Sequence, residues 1–259
     1  MLKHRVLAAV LGIPLILYLT YLGGFFYFAL VLLITLVSLR EFLAMAGRGE
    51  FVLPRWMVLV AALAVLWVQF YYPQYFAFAL ILVLLIFAFL HVIFFPRLTP
   101  WELMTVIWGI IYIAGCLSFL LLLRAREGGF LLSLLLFIGI WANDTGAYFV
   151  GSSLGKRKLA PLVSPNKTVE GAVGGILCTL GFLAAYALIF RLNLTMALAA
   201  ALLVSLAGYS GDLVISALKR HYRIKDTGAI IPGHGGFLDR FDSLIFAAPL
   251  FYIMLVLFF

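Results

Sequence analysis

Apolar residues come in long unbroken runs along this chain, without the alternating or helical stripes of a fold that faces water on one side. A helix needs roughly 20 apolar residues to cross about 30 Å of hydrocarbon. Nine segments approach that length: 6–22, 25–45, 53–71, 75–95, 103–123, 130–150, 171–190, 195–217 and 242–259. Turn residues separate the first six: Gly23-Gly24, the stretch from Gly47 to Pro54, Tyr72-Pro73, Pro96 to Pro100, and Gly128-Gly129. The pattern predicts an all-α integral membrane protein with about nine transmembrane helices and no internal repeat of fixed period. Residues 1–128 supply about five N-terminal spans. Residues 129–259 form the C-terminal region and carry two long polar segments, 151–170 and 219–240.

Composition agrees with the pattern. Of 259 residues, 66% are hydrophobic and only 11% charged, more apolar surface than a soluble core can use. The opening MLKHRVLAAVLG has the positive start and apolar run of a signal peptide. No A-x-A-like site closes that run, and equally apolar segments follow, so it reads as the first span. Cys116 and Cys178 sit in apolar stretches and are expected to be buried free thiols.

Charge adds a direction. With the N-terminus in the cytoplasm, only Arg124, Arg126 and Arg191 of the 18 Lys and Arg fall outside. That asymmetry predicts an N-in, C-out topology with an odd number of spans. It also accounts for most of the net charge of +8, so no nucleic-acid partner is expected. Both long polar segments then face the cytosol.

Four of the ten acidic residues lie in or at the edge of apolar spans: Glu41, Asp144, Asp212 and Asp242. A carboxylate in hydrocarbon is costly and by default a functional candidate. Glu41, beside Arg40 near a helix end, is expected to make a structural pair with it. Asp212, in GYSGDLVISALKR, is different. Gly208 and Gly211 leave room for a helix or a ligand. Ser216 at i+4 and Lys219 at i+7 share its helix face. Asp239 and Asp242, spaced i, i+3 in LDRFD, point the same way if helical. With Asp212 alongside, three hard oxygen donors would suit Mg²⁺, and Asp144 in WANDTGAYF is a fourth acid with Asn143 as its neutral neighbour.

The loop GSSLGKRKLAPLVSPNKTVEG is not a P-loop: the glycine spacing is one residue short, and Arg157 stands where Ser or Thr should follow the lysine. Exposed amides at the following helix start, near Asn166, Lys167, Thr168 and Glu170, could hold an anion. Lys156, Arg157 and Lys158 read as a lipid-headgroup patch. Gly171 and Gly175 form a small-xxx-small pair of the kind that packs helices. Pro232, Gly233, Gly235 and Gly236 surround His234, where backbone can approach a ligand closely. His221 carries no functional expectation.

The run Ser216-x-Leu218-Lys219-Arg220, four residues, Lys225-Asp226-x-Gly228, then Pro232-x-His234-Gly235-Gly236-x-x-Asp239-Arg240-x-Asp242 resembles the signature of the phosphatidate cytidylyltransferases, the CDP-diacylglycerol synthases. SPNKTVEG and NDTGAYFVG also resemble that family, and the similarity covers about residues 141–249. The resemblance implies a reaction of CTP with phosphatidate that gives CDP-diacylglycerol and pyrophosphate. It also implies divalent-metal dependence, a multi-span fold among membrane lipids and a homodimer. On that basis Asp212, Asp239, Asp242 and Lys219 are expected to be catalytic. Asp212, Asp239, Asp242 and Asp144 would hold Mg²⁺, one ion or two. Asn143, Asn166, Lys167, Ser216, Arg220, Lys225, His234, Gly235, Gly236 and Arg240 would contact substrate. A bacterial inner membrane with a cytoplasmic active site fits the size and topology. Related readings are a lipid-alcohol kinase, or a cytidylyltransferase for another lipid phosphate. A CDP-alcohol phosphotransferase lacks its D-G-x₂-A-R pattern here, and a transporter would show inverted repeats.

Overall fold

The computed structural model describes residues 2–47, 52–230 and 235–259, with side chains from Val10 onward. Among the described residues, ten α-helices follow one another: α1 Leu2–Leu22, α2 Gly24–Gly47, α3 Arg55–Tyr71, α4 Phe76–Ile93, α5 Pro100–Gly109, α6 Phe119–Ala125, α7 Gly129–Leu154, α8 Val169–Phe190, α9 Leu194–His221 and α10 Leu238–Phe258. Each expected span holds helix. Among the described residues, seven helical segments are long and apolar enough to cross a membrane. Those segments support an all-α integral membrane protein. Arg55–Tyr71 and Val10–Leu22 are shorter apolar helices.

Two local features depart from the expected elements. The fifth span is not one continuous α-helix. Between α5 and α6 the backbone widens into a π-helical turn, Ile110–Gly115, and the Ser118 hydroxyl then donates to the Gly115 carbonyl at 2.6 Å. A π-turn re-aims the side chains that follow without breaking the spanning segment. The polar loop after α7 is not irregular. It forms an antiparallel hairpin of β1 Lys158–Ala160 and β2 Ser164–Thr168, with Lys158 opposite Thr168 and Ala160 opposite Ser164.

The chain divides into two compact units. The first comprises Met1–Arg126 and Ile224–Phe241. Its core is the buried face of α2, with Tyr27, Phe28, Val31, Leu39 and Phe42, packed against α3 and the π-turn. The Arg124 guanidinium donates to the carbonyls of Thr20 and Tyr21 at 2.7 and 3.0 Å, and so satisfies the C-terminal end of α1. Glu102 is buried and accepts the Leu53 amide at 2.9 Å, which ties the start of α5 to the chain entering α3.

The second unit comprises Glu127–Arg223 and Asp242–Phe259. Helices α7 and α8 are its most closely packed pair. Small residues permit this, as the Gly171 and Gly175 spacing predicts: a Cβ on Gly175 would fall 2.7 Å from Asn143 Oδ1. The Thr168 hydroxyl accepts the Gly171 amide at 3.1 Å and caps α8, while Asn193 caps α9 through the Met196 amide at 3.0 Å. Cys116 and Cys178 are free thiols, as expected, though each is only partly buried.

Candidate active site

In the second unit, α7, β2, α8 and α9 enclose a cavity of about 560 Å³. Asp144 comes from α7, Asn166 and Lys167 from β2, and Tyr209 and Asp212 from α9. The Lys167 ammonium pairs with Asp212 Oδ2 at 2.6 Å, and both side chains are only partly exposed, 20% and 35%. A charge-assisted contact of this length is stronger than a neutral hydrogen bond. The Ser216 hydroxyl donates to the other oxygen, Asp212 Oδ1, at 3.0 Å, which bears out the shared face at i and i+4. Lys219 acts electrostatically on Asp242. The cation seated on Asp212 is Lys167, which the sequence had placed only among phosphate-binding residues.

Asp242 is buried, and its Oδ1 accepts the Ser243 amide at 2.7 Å. Asp212 and Asp144 both act on it electrostatically. A Cβ on Gly211 would run into the Asp242 carbonyl and lie 3.0 Å from Phe246 Cβ. Gly211 therefore lets α9 and α10 come together and carry Asp212 and Asp242 into one neighbourhood. The room that Gly208 and Gly211 leave is thus divided: Gly208 lines the cavity and Gly211 receives a helix.

Tyr209 was absent from the residues read out of the sequence. Its ring lies 5.5 Å from Lys167 Nζ, within cation–π range. Its hydroxyl makes long contacts with the carbonyls of Gly171 and Ala172 at 3.3 and 3.4 Å, and the Asn143 side chain hydrogen-bonds to it. The available signal was position: Tyr209 precedes Asp212 by three residues on the same helix face. Asn143 is fully buried and its Oδ1 has no hydrogen-bond partner among the described residues. An orphaned acceptor at this depth is costly unless a water or ligand supplies a donor.

The anion site expected at the amides that open α8 is not available. The Val169 amide donates to the Arg157 carbonyl at 2.9 Å, and the Gly171 amide is capped by Thr168. The Glu170 carboxylate turns outward and accepts the amides of Lys156 and Arg157 at 3.0–3.2 Å. Arg220, expected at substrate, donates from Nε to the Val163 carbonyl at 3.2 Å at the turn of the hairpin.

The rest of the signature lies in the first unit, and there the structure corrects one reading. Glu41 does not pair with Arg40. It is buried, and its Oε1 and Oε2 accept the amides of Phe237 and Leu238 at 2.9 and 2.8 Å, the residues that open α10. Asp239 Oδ2 accepts the amides of Thr227 and Gly236 at 2.8 and 3.0 Å. The Thr227 hydroxyl lies 3.0 Å from both Glu41 Oε2 and Asp239 Oδ2, with one proton to give. Two carboxylates thus hold both ends of the Gly-rich segment, and Gly235 takes the left-handed backbone (φ +81°) this requires. Lys225 and Arg240 are exposed on the same unit. His234 lies outside the described residues.

The metal reading rests on chemistry rather than on a preformed cage. Among the described residues no group of three or more His, Cys, Asp or Glu is arranged to hold an ion. Asp144 and Asp212 nevertheless present hard carboxylate oxygens to one cavity. Mg²⁺ commonly takes one or two carboxylates and completes its shell with water and substrate phosphate, so the donor set fits that ion.

Comparison with known proteins agrees with this chemistry. The model of the cytidylyltransferase family matches residues 3–258. The chain is 38% identical over 270 residues to the phosphatidate cytidylyltransferase of Bacillus subtilis (strain 168), covering 99% of this chain and 98% of that one. It is 46% identical over 142 residues to the protein of the same name from Staphylococcus aureus (strain COL), covering 54% and 55% of the two chains. The Staphylococcus haemolyticus protein (strain JCSC1435) is 44% identical over the same length. An apolar helical chain with a lysine–aspartate pair in a carboxylate-lined cavity, matched from end to end by one family, belongs to the cytidylyltransferase family.

Proposed function

We propose that this protein is a membrane nucleotidyltransferase that converts CTP and phosphatidate to CDP-diacylglycerol and pyrophosphate in phospholipid synthesis. The observation that carries the proposal is the Lys167–Asp212 pair, beside Asp144, in a cavity at the polar end of apolar helices. A phosphatidate oxygen attacks the α-phosphorus of CTP. A new P–O bond forms, the bond to the β-phosphate oxygen breaks, and pyrophosphate leaves with that electron pair. The phosphatidate phosphate is already nucleophilic near neutral pH, so no dedicated general base is assigned.

The chain's own residues position and neutralise. Lys167 leaves Asp212 for a phosphate oxygen when the triphosphate enters, and Tyr209 keeps the ammonium over its ring. Ser216 holds the Asp212 carboxylate in place through the exchange. Asn143 offers its orphaned oxygen to a donor such as the cytosine amine. Asp144 and Asp212, with Asp242 behind them, would hold Mg²⁺. When bound, the ion supplies charge neutralisation and alignment for in-line displacement. Asp239 gives Oδ2 to the amides of Thr227 and Gly236, and a metal role for it rests on the signature alone. Lys219, Lys225 and Arg240 serve the phosphates, with Arg220 at the rim.

We place nine spans in a bacterial cell membrane, with the N-terminus and active site cytoplasmic and the C-terminus outside, and a homodimer as the working form. The positive-inside asymmetry supports this orientation. The assay is direct. Protein in detergent with labelled CTP, phosphatidate and Mg²⁺ should give lipid-linked CMP and an equal amount of pyrophosphate. CTP left unconsumed overturns the reading.

A further inference from the structure

The hairpin between α7 and α8 is more than a connector. Its turn, Pro161-Leu162-Val163, presents Leu162 at 92% exposure, the most exposed large hydrophobic side chain among the described residues. Most of the other highly exposed apolar residues lie on helices, where lipid can cover them; Leu162 lies on a polar loop. Lys156, Arg157 and Lys158, all exposed, stand at the base of the same hairpin.

The hairpin is braced rather than loose. Glu170 holds the amides of Lys156 and Arg157, the Val169 amide closes onto Arg157, and Arg220 holds the Val163 carbonyl at the turn. The connections to the flanking spans are short: α7 ends at Leu154 and α8 begins at Val169. A fourteen-residue excursion between two membrane-crossing helices stays close to the membrane surface. A braced turn with an apolar tip and a cationic base, kept at that surface, has the composition of an interfacial anchor.

We propose that the hairpin 156–168 docks on the anionic headgroup layer of the bilayer the chain spans. Leu162 enters the headgroup–acyl boundary, and Lys156, Arg157 and Lys158 meet lipid phosphates. The docking does not depend on the assigned reaction. If that reaction holds as well, β2 links the docked turn to Lys167, so the lipid surface steadies the residue that faces the phosphates.

The test reads depth and needs no turnover. A spin label is placed by Leu162→Cys in a Cys116→Ala, Cys178→Ala background, in nanodiscs of mixed anionic and zwitterionic phospholipid. Collision with oxygen against a water-soluble nickel chelate should place the label roughly 5–10 Å below the phosphate level. Lys156→Ala, Arg157→Ala and Lys158→Ala together, or purely zwitterionic discs, should raise it toward water. A label as accessible to nickel as one on a soluble tail overturns the insertion. A depth unchanged by the triple substitution and by lipid charge overturns the electrostatic half. Should the cysteine-free background fail to fold, Leu162→Trp in the native chain, read by brominated-lipid quenching above the native tryptophans, answers the same question.

Discussion

Lys167 Nζ sits 2.6 Å from Asp212 Oδ2, although the two residues come from different elements of the second unit, β2 and α9. The pair is half-shielded, so removing one partner strands the other charge in a poorly solvated wall. Asp212→Asn and Lys167→Met should each lower kcat by about 100-fold or more, the size seen when a preorganised electrostatic group is lost. The double variant should cost less than the product of the two, because both remove one interaction. Full activity in Asp212→Asn at normal expression would falsify the catalytic role.

Chelation gives a separate reading of the carboxylates. EDTA should abolish turnover, and added Mg²⁺ should restore it. Asp144→Asn should raise the Mg²⁺ concentration needed for half-maximal rate while changing the KM for CTP less. An unchanged Mg²⁺ requirement would remove Asp144 from the ion's shell.

Glu41 predicts a stability effect rather than a chemical one. It is buried and accepts two amides at the start of α10. Glu41→Gln keeps one acceptor but turns an NH₂ toward backbone donors. It should cost about 1–3 kcal/mol, the price of buried groups left unsatisfied, and lower the thermal midpoint in detergent. Glu41→Ala should be worse, and Arg40→Ala nearly silent. Equal effects at 40 and 41 would contradict the observed pairing.

Tyr209 separates ring from hydroxyl. Tyr209→Phe keeps the aromatic face toward Lys167 and loses only long hydrogen bonds, so kcat/KM should fall less than about tenfold. Tyr209→Ala should fall further. Similar losses in both would assign the effect to the hydroxyl and its Asn143 contact.

Gly211 tests helix approach. Gly211→Ala sets a methyl against the Asp242 carbonyl and should destabilise by about 1–3 kcal/mol, as overpacking does. Gly208→Ala has open space by comparison, with nothing nearer than 3.7 Å, and should keep the thermal midpoint. A midpoint that holds at 211 and drops at 208 would reverse the assignment of the two glycines.

The membrane-spanning character and the segment order were legible in the sequence because hydrocarbon imposes a local, one-dimensional rule on every span. The Asp212–Ser216 contact was legible because helix geometry relates i and i+4 without reference to anything else. The role of Gly211 was legible only as an alternative, helix or ligand, until α10 was seen against it. Glu41 was misread because its neighbour in sequence, Arg40, is not its neighbour in space. The hairpin was missed because each strand is too short and too polar to show a period of two.

Sequence alone therefore determined where apolar helices run, which acids stand in them and which signature they carry. Tertiary structure decided which partner each charge takes. Glu41 caps a helix nearly 200 positions away in the chain, and Lys167, 45 positions before Asp212, is the cation that pairs with it. The physical reason is range. Burial and helical periodicity act along the chain, whereas a buried carboxylate is satisfied by whichever donor the packing brings within about 3 Å, and sequence distance places no limit on that.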